Sequence, residues 1–122
     1  MDHNEGFLKI VKDAKTRIRE LSVEQVRAKQ ERKEDFVFVD VREDSEWAKG
    51  HAAGAIHLGK GVIERDIEQA IPDRNRDVVL YCGGGFRSAL AADVLQRMGY
   101  VRVSSMDGGI KLWRERGFPM EK

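Results

Sequence analysis

Val78-Val79-Leu80-Tyr81-Cys82-Gly83-Gly84-Gly85-Phe86-Arg87-Ser88 decides how this chain reads. A short apolar, β-branched run ends on the only cysteine of the sequence. Three glycines follow, then an arginine and a helix-opening serine. The pattern is that of a reactive thiol at the carboxyl end of a buried strand, where ligands of open α/β sheets collect. Glycines admit backbone dihedrals and close approaches that a Cβ would block. Their N–H groups, together with a helix N-terminus, can face negative charge on the sulfur. A free cysteine can also be a small buried hydrophobe and nothing more. The glycines and Arg87 favour the reactive thiol.

Working outward, Phe36-Val37-Phe38-Val39 is apolar throughout and runs into Asp40-Val41-Arg42. A strand without polar alternation is buried on both faces, which implies a parallel sheet covered by helices. Residues 43–49 make a short helix stopped by Gly50, 51–54 a turn, and 55–58 a second short strand. Val62, Ile63, Ile67, Ala70 and Ile71 mark a helix closed by Pro72. Beyond the glycines, Ala89, Leu90, Ala92, Val94, Leu95 and Met98 define an amphipathic helix ending at Gly99. Residues 101–106 form a further strand, and Asp107-Gly108-Gly109 turns into a last helix carrying Ile110, Leu112 and Trp113. Strands alternate with helices, so the class is α/β with a mainly parallel sheet.

Ahead of that core, Phe7, Ile10, Val11, Ala14, Ile18 and Leu21 recur at steps of three or four. They predict an amphipathic helix over residues 5–21. It can dock on the domain behind it, make a dimer contact, or act as a flap beside the site. Ser22-Val23-Glu24-Gln25 is a capping box that opens a second helix. The chain thus divides into an extension at 1–21 and a domain at 22–122.

The 122 residues fit one domain with a single core. Lysine and arginine number 22 against 21 aspartates and glutamates, a net charge of +1. Such a balance gives no case for a nucleic-acid or membrane partner. One cysteine cannot close an internal disulfide, and the first residues lack the order of a secretory signal. A soluble, cytoplasmic setting is expected.

Free thiols titrate near about 8.5, so nucleophilic chemistry at sulfur needs surroundings that favour the anion. The glycine loop and helix N-terminus supply them. His51 and His57 could approach in space, but neither has a fixed spacing to Cys82. One cysteine and scattered histidines give no metal-ligand spacing, so no metal is expected. Gly83-Gly84-Gly85 matches neither the dinucleotide fingerprint nor the P-loop.

Asp40-Val41-Arg42, Gly50-His51 with Gly54-Ala55-Ile56, Cys82 to Ser88, and Asp107-Gly108-Gly109 with Trp113, Gly117 and Pro119 together resemble the single-domain rhodanese family. The resemblance runs from about residue 22 to the end. It implies a five-stranded α/β domain and sulfane-sulfur transfer without a cofactor. The cysteine matching Cys82 takes sulfur from thiosulfate, a persulfide or mercaptopyruvate, and passes it to a thiol, cyanide or a protein acceptor. Gly83, Gly84, Gly85, Phe86, Arg87 and Ser88 correspond to the cradle around that sulfur. Asp40, Arg42 and Asp107 correspond to supporting positions. Arg87 either holds an anionic donor or pairs with a carboxylate to fix the helix start. Cysteine phosphatases and arsenate reductases of related fold use Cys-x5-Arg, whereas Cys82 to Arg87 is Cys-x4-Arg. A non-catalytic module of the same fold is the third reading, and inactive relatives usually lose the cysteine.

Overall fold

The computed structural model describes residues 3–122. Its centre is the strand read first. Strand β5 (Val78–Tyr81) is buried at every position. Successive side chains of a strand point to opposite faces, so Val78, Leu80 and Cys82 enter one core, while Val79 and Tyr81 enter the other. Helices α4 (Ile63–Ala70) and α5 (Phe86–Arg97) cover the first face with Ile63, Ile67, Ala91, Ala92 and Leu95. Helices α2 (Val23–Glu31) and α6 (Gly109–Glu115) cover the second with Val23, Val26, Ile110 and Trp113. The absence of polar alternation thus has its physical cause in two covered faces.

Around β5 the sheet has five parallel strands in the order β1-β6-β5-β2-β4. Strands β2 (Val37–Asp40), β4 (Ala55–His57) and β6 (Val103–Met106) lie close to their predicted places, and α3 (Asp44–Ala48) follows β2. The predicted capping box is formed: the Gln25 N–H donates to Ser22 Oγ at 3.0 Å, and the Ser22 N–H to Gln25 Oε1 at 2.8 Å.

Four local expectations are corrected. The helix expected over 5–21 stops early: α1 covers Glu5–Lys15, and Arg19–Leu21 forms β1, the edge strand beside β6. At the break, Thr16 Oγ1 donates to Asp13 O at 2.7 Å, a local bond that competes with helix continuation. Ile10, placed on the inner face, is 53% exposed, and burial falls on Val11 and Ala14. His51–Ala52, expected as a turn, is strand β3, paired antiparallel with β7 (Met120–Glu121). Helix α5 opens at Phe86, so Ser88 is its third residue and not its cap.

Helix α1 packs on α5. Arg17, just past its end, donates to Asp93 through Nε at 3.0 Å and Nη2 at 2.7 Å, fastening the segment to α5. No helix among the described residues is long and apolar enough to cross a membrane.

Candidate active site

Cys82 ends β5 and sits beneath the first turn of α5, 1% exposed. Gly85 turns the chain between them at φ +101°, in the left-handed region. A Cβ there would also stand 3.2 Å from the Gly108 nitrogen, so both conformation and space require glycine. The turn aims two main-chain donors at the sulfur: Gly85 N–H at 3.2 Å and Ser88 N–H at 3.3 Å from Cys82 Sγ. Ser88 Oγ lies 3.5 Å from the same sulfur and 2.8 Å from Ser105 Oγ. Both serines are fully buried. Hydroxyls rotate to suit their partners, so a thiol can donate to Ser88. For a thiolate, both hydroxyls turn and Ser105 donates to Ser88, which donates to sulfur.

The loop is held from below by α6. Ile110 N–H donates to Cys82 O at 2.9 Å, and Lys111 N–H to Gly83 O at 3.1 Å. These are orphan donors of a helix N-terminus spent on the carbonyls of the cysteine loop. Asp107 supports the site through its main chain. Its N–H donates to Leu21 O at 2.8 Å and its Cα lies beneath Gly85, while its side chain is 62% exposed.

Asp40 and Arg42 brace the neighbouring β2 end. Arg42 Nε and Nη2 reach both Asp40 oxygens at 2.8–3.1 Å, and Nη2 also donates to Gly50 O at 2.7 Å. The pair is buried, and among the described residues no buried side-chain nitrogen or oxygen lacks a hydrogen-bond partner, the condition under which a buried ion pair is tolerated. Beside it, burial and then the Asp40 carboxylate push the Tyr81 phenol well above its ordinary range.

Arg87 is engaged by a carboxylate. Its Nη1 and Nη2 donate to Glu46 Oε2 and Oε1 at 2.8 and 3.0 Å, joining α5 to α3. This fork-to-fork geometry is the strongest form of the pair. The Arg87 hydrogen bonds, helped by the Glu43 N–H, hold the Glu46 carboxyl down at about 2, against an ordinary 4.5. The folded form therefore binds this proton more weakly than the unfolded chain. Its stabilisation is complete above pH about 4.5 and is lost as pH falls toward about 2. Urea midpoints between pH about 5 and about 2.5 should fall more steeply for the wild type than for Glu46→Gln. Equal slopes would remove this pair from the acid response.

His51 and His57 do not line the cysteine's cleft. Their rings stack on Trp47 at centroid distances of 3.6 and 5.0 Å. His57 Nε2 lies 2.7 Å from Arg42 O and His51 Nδ1 3.1 Å from Ala52 O. Trp113, buried in the second core, donates from Nε1 to Pro119 O at 2.8 Å.

A cleft of about 450 Å³ opens over the sulfur, lined by His3, Phe7, Glu46, Cys82, Gly83, Gly84, Phe86 and Arg87. Two of its members escaped the sequence reading as site residues: His3 and Phe7. So did Ser105, although a Ser-Ser pair inside an apolar strand was a visible signal of buried hydroxyls with work to do.

The family model described as "Rhodanese-like domain" matches residues 22–116. A sulfurtransferase of Allochromatium vinosum is 39% identical over 87 residues, 71% of this chain and 79% of that one. Among solved structures, a Rhodopseudomonas palustris protein of unknown function, described as a possible tyrosine phosphatase, superposes with a TM-score of 0.84 at 29% identity. It covers 99% of this chain and 98% of its own. The 30 kDa polysulfide-sulfur transferase homodimer of Wolinella succinogenes follows at 0.80 and 27% identity, covering 95% of this chain and 87% of its own. The match to residues 22–116, on a sheet and cysteine loop of the expected form, makes this chain a member of the rhodanese-like domain family.

Proposed function

We propose that the protein is a sulfurtransferase that carries one sulfane sulfur as a persulfide on Cys82. The Cys82 thiolate attacks the outer sulfur of a donor. The donor's S–S bond breaks, its electron pair leaves with the departing group, and Cys82–S–S⁻ remains. A thiophilic acceptor, a thiolate or cyanide, then attacks the outer sulfur and Cys82 departs as thiolate. Each step conserves charge and needs no oxidant or reductant.

The observation that carries this reading is the pair of N–H groups, from Gly85 and Ser88, at 3.2 and 3.3 Å from Sγ. Fixed donors aimed at an atom that is anionic before and after transfer stabilise it without reorganisation. The names of two relatives, a sulfurtransferase and a polysulfide-sulfur transferase, support the same chemistry. A phosphatase reading is suggested by the description of the Rhodopseudomonas protein. It would need Arg87 to face a tetrahedral oxyanion, and both ends of that guanidinium lie on Glu46. Four residues, not five, separate Cys82 from Arg87. A lone free thiol used in this way suits a reducing, cytoplasmic setting.

The test is intact mass after incubation with excess donor. One added sulfur raises the mass by about 32 Da, and cyanide removes it as thiocyanate. If thiosulfate, thiosulfonates and organic persulfides all leave the mass unchanged, the protein does not carry sulfur on Cys82.

A further inference from the structure

Helix α1 and the residues leading into it bring two aromatic side chains, Phe7 and His3, to the mouth of the cysteine's cleft, from outside the residues 22–116 that the family model matches. The His3 ring meets Phe86 edge-on at 4.7 Å and lies 5.3 Å from Phe7, and Phe7 stands 6.2 Å from Phe86. Phe86 also receives the Lys15 ammonium at 5.5 Å from its centroid. Three rings, one from α1, one from the residues ahead of it and one from α5, therefore hold one another in place, and all three also line the space above Cys82.

The charges of that space point the same way. Of the described lining residues, Arg87 is the one guanidinium, and Glu46 neutralises it through both oxygens. Among the described lining residues, a dianion such as thiosulfate meets the Glu46 carboxylate and, for a guanidinium or ammonium, only the already paired Arg87. A planar or apolar group meets ring faces and edges, which associate with other rings beyond simple area burial.

We propose that His3, Phe7 and Phe86 form a specificity wall, and that the donor is an organic, singly charged sulfane-sulfur compound whose apolar group rests on it. The inference rests on the sulfur-transfer reading of Cys82. With a thiosulfonate, the thiolate attacks the outer sulfur of R–SO₂–S⁻. The S–S bond breaks, the electron pair leaves on the sulfinate R–SO₂⁻, and Cys82–S–S⁻ remains. One sulfur atom moves and the total charge is constant.

The experiment compares benzenethiosulfonate with methanethiosulfonate, which share charge and reactive group, as donors to the full chain with cyanide as acceptor. The wild type should prefer the phenyl donor in kcat/KM. Phe7→Ala and His3→Ala should each shrink the phenyl-to-methyl ratio by about three- to tenfold. Phe7→Trp, which keeps a ring at the wall, should restore it. Lys9→Ala, an exposed change on α1, should leave the ratio where it was. Because His3 is exposed, its variant remains informative if Phe7→Ala fails to fold. A ratio unchanged in folded His3→Ala overturns the wall, and so does a ratio lowered equally by Lys9→Ala. If thiosulfate loads sulfur onto the wild type and neither thiosulfonate does, the wall is overturned; if thiosulfate, thiosulfonates and organic persulfides all fail to load it, what fails is the sulfur-transfer reading itself.

Discussion

Cys82→Ser should abolish both sulfur loading and transfer while leaving the fold intact. A hydroxyl does not form the S–S bond on which the persulfide depends, so the mass increase disappears and thiocyanate production falls to the uncatalysed background. Stability should change little, for a local reason. The serine oxygen inherits the Gly85 and Ser88 N–H donors that now point at Sγ, and its own proton can go to Ser88 Oγ as the thiol's does. No buried polar group is left unpaired, so the usual penalty of about 1–3 kcal/mol does not arise. The check is mass spectrometry and cyanide-coupled turnover on a variant whose thermal transition matches the wild type. Residual donor-dependent mass gain in Cys82→Ser would move the chemistry off this residue.

Gly109→Ala should have the largest effect on stability of any single methyl addition near the site. Gly109 holds φ at +58°, and a Cβ built there would stand 2.5 Å from Gly83 O and 2.6 Å from Cys82 O. Backbone carbonyls cannot rotate away as a flexible side chain would. Relief has to come from lifting α6 off the loop, which breaks the Ile110 and Lys111 hydrogen bonds to those same carbonyls. Backbone strain and overpacking each cost about 1–3 kcal/mol, so a total of about 3–4 kcal/mol is expected. For a domain of this size the melting temperature should drop by about 10 °C or more. Gly84→Ala is the natural contrast, since nothing lies within 4 Å of its Cβ position, and its melting temperature should stay close to the wild type. Comparable losses in the two variants would refute the contact as the cause.

What could be read from the sequence follows from where the information lies. Strand β5 and its loop were legible because both faces of the strand are buried and the glycines have a local conformational reason. The α4 and α5 stripes were legible because each helix buries one face along its length. Strand β1 was not. It is three residues long, exposes Arg19 and Glu20, and half-buries Leu21 alone, so Leu21 and the Ile18 just ahead of it fit the helical spacing that precedes them. The β3–β7 ribbon has two residues a side, too few for any period. The Glu46–Arg87 pair and the His3–Phe7–Phe86 cluster join residues far apart in the chain, and no spacing rule within one element announces such contacts. Arg87's two readings were separable only by finding which carboxylate the fold brings to it.

The edge strand has a consequence for how the protein is made. Residues 19–21 take as their partners residues 104–106 of β6, and α1 lies against α5. During synthesis the first strand waits without its partner until residues 104–106 have left the ribosome, at about 5–20 residues per second. The central strands β2, β4 and β5 can assemble before that. The amino-terminal segment is therefore emitted first and fitted last, and closing so long a loop is the slow, entropy-limited kind of event. For those seconds the cysteine loop is without the His3 and Phe7 rings that the amino-terminal segment later brings to it, and the nascent chain offers a bare sheet edge to any chaperone or neighbouring chain that meets it.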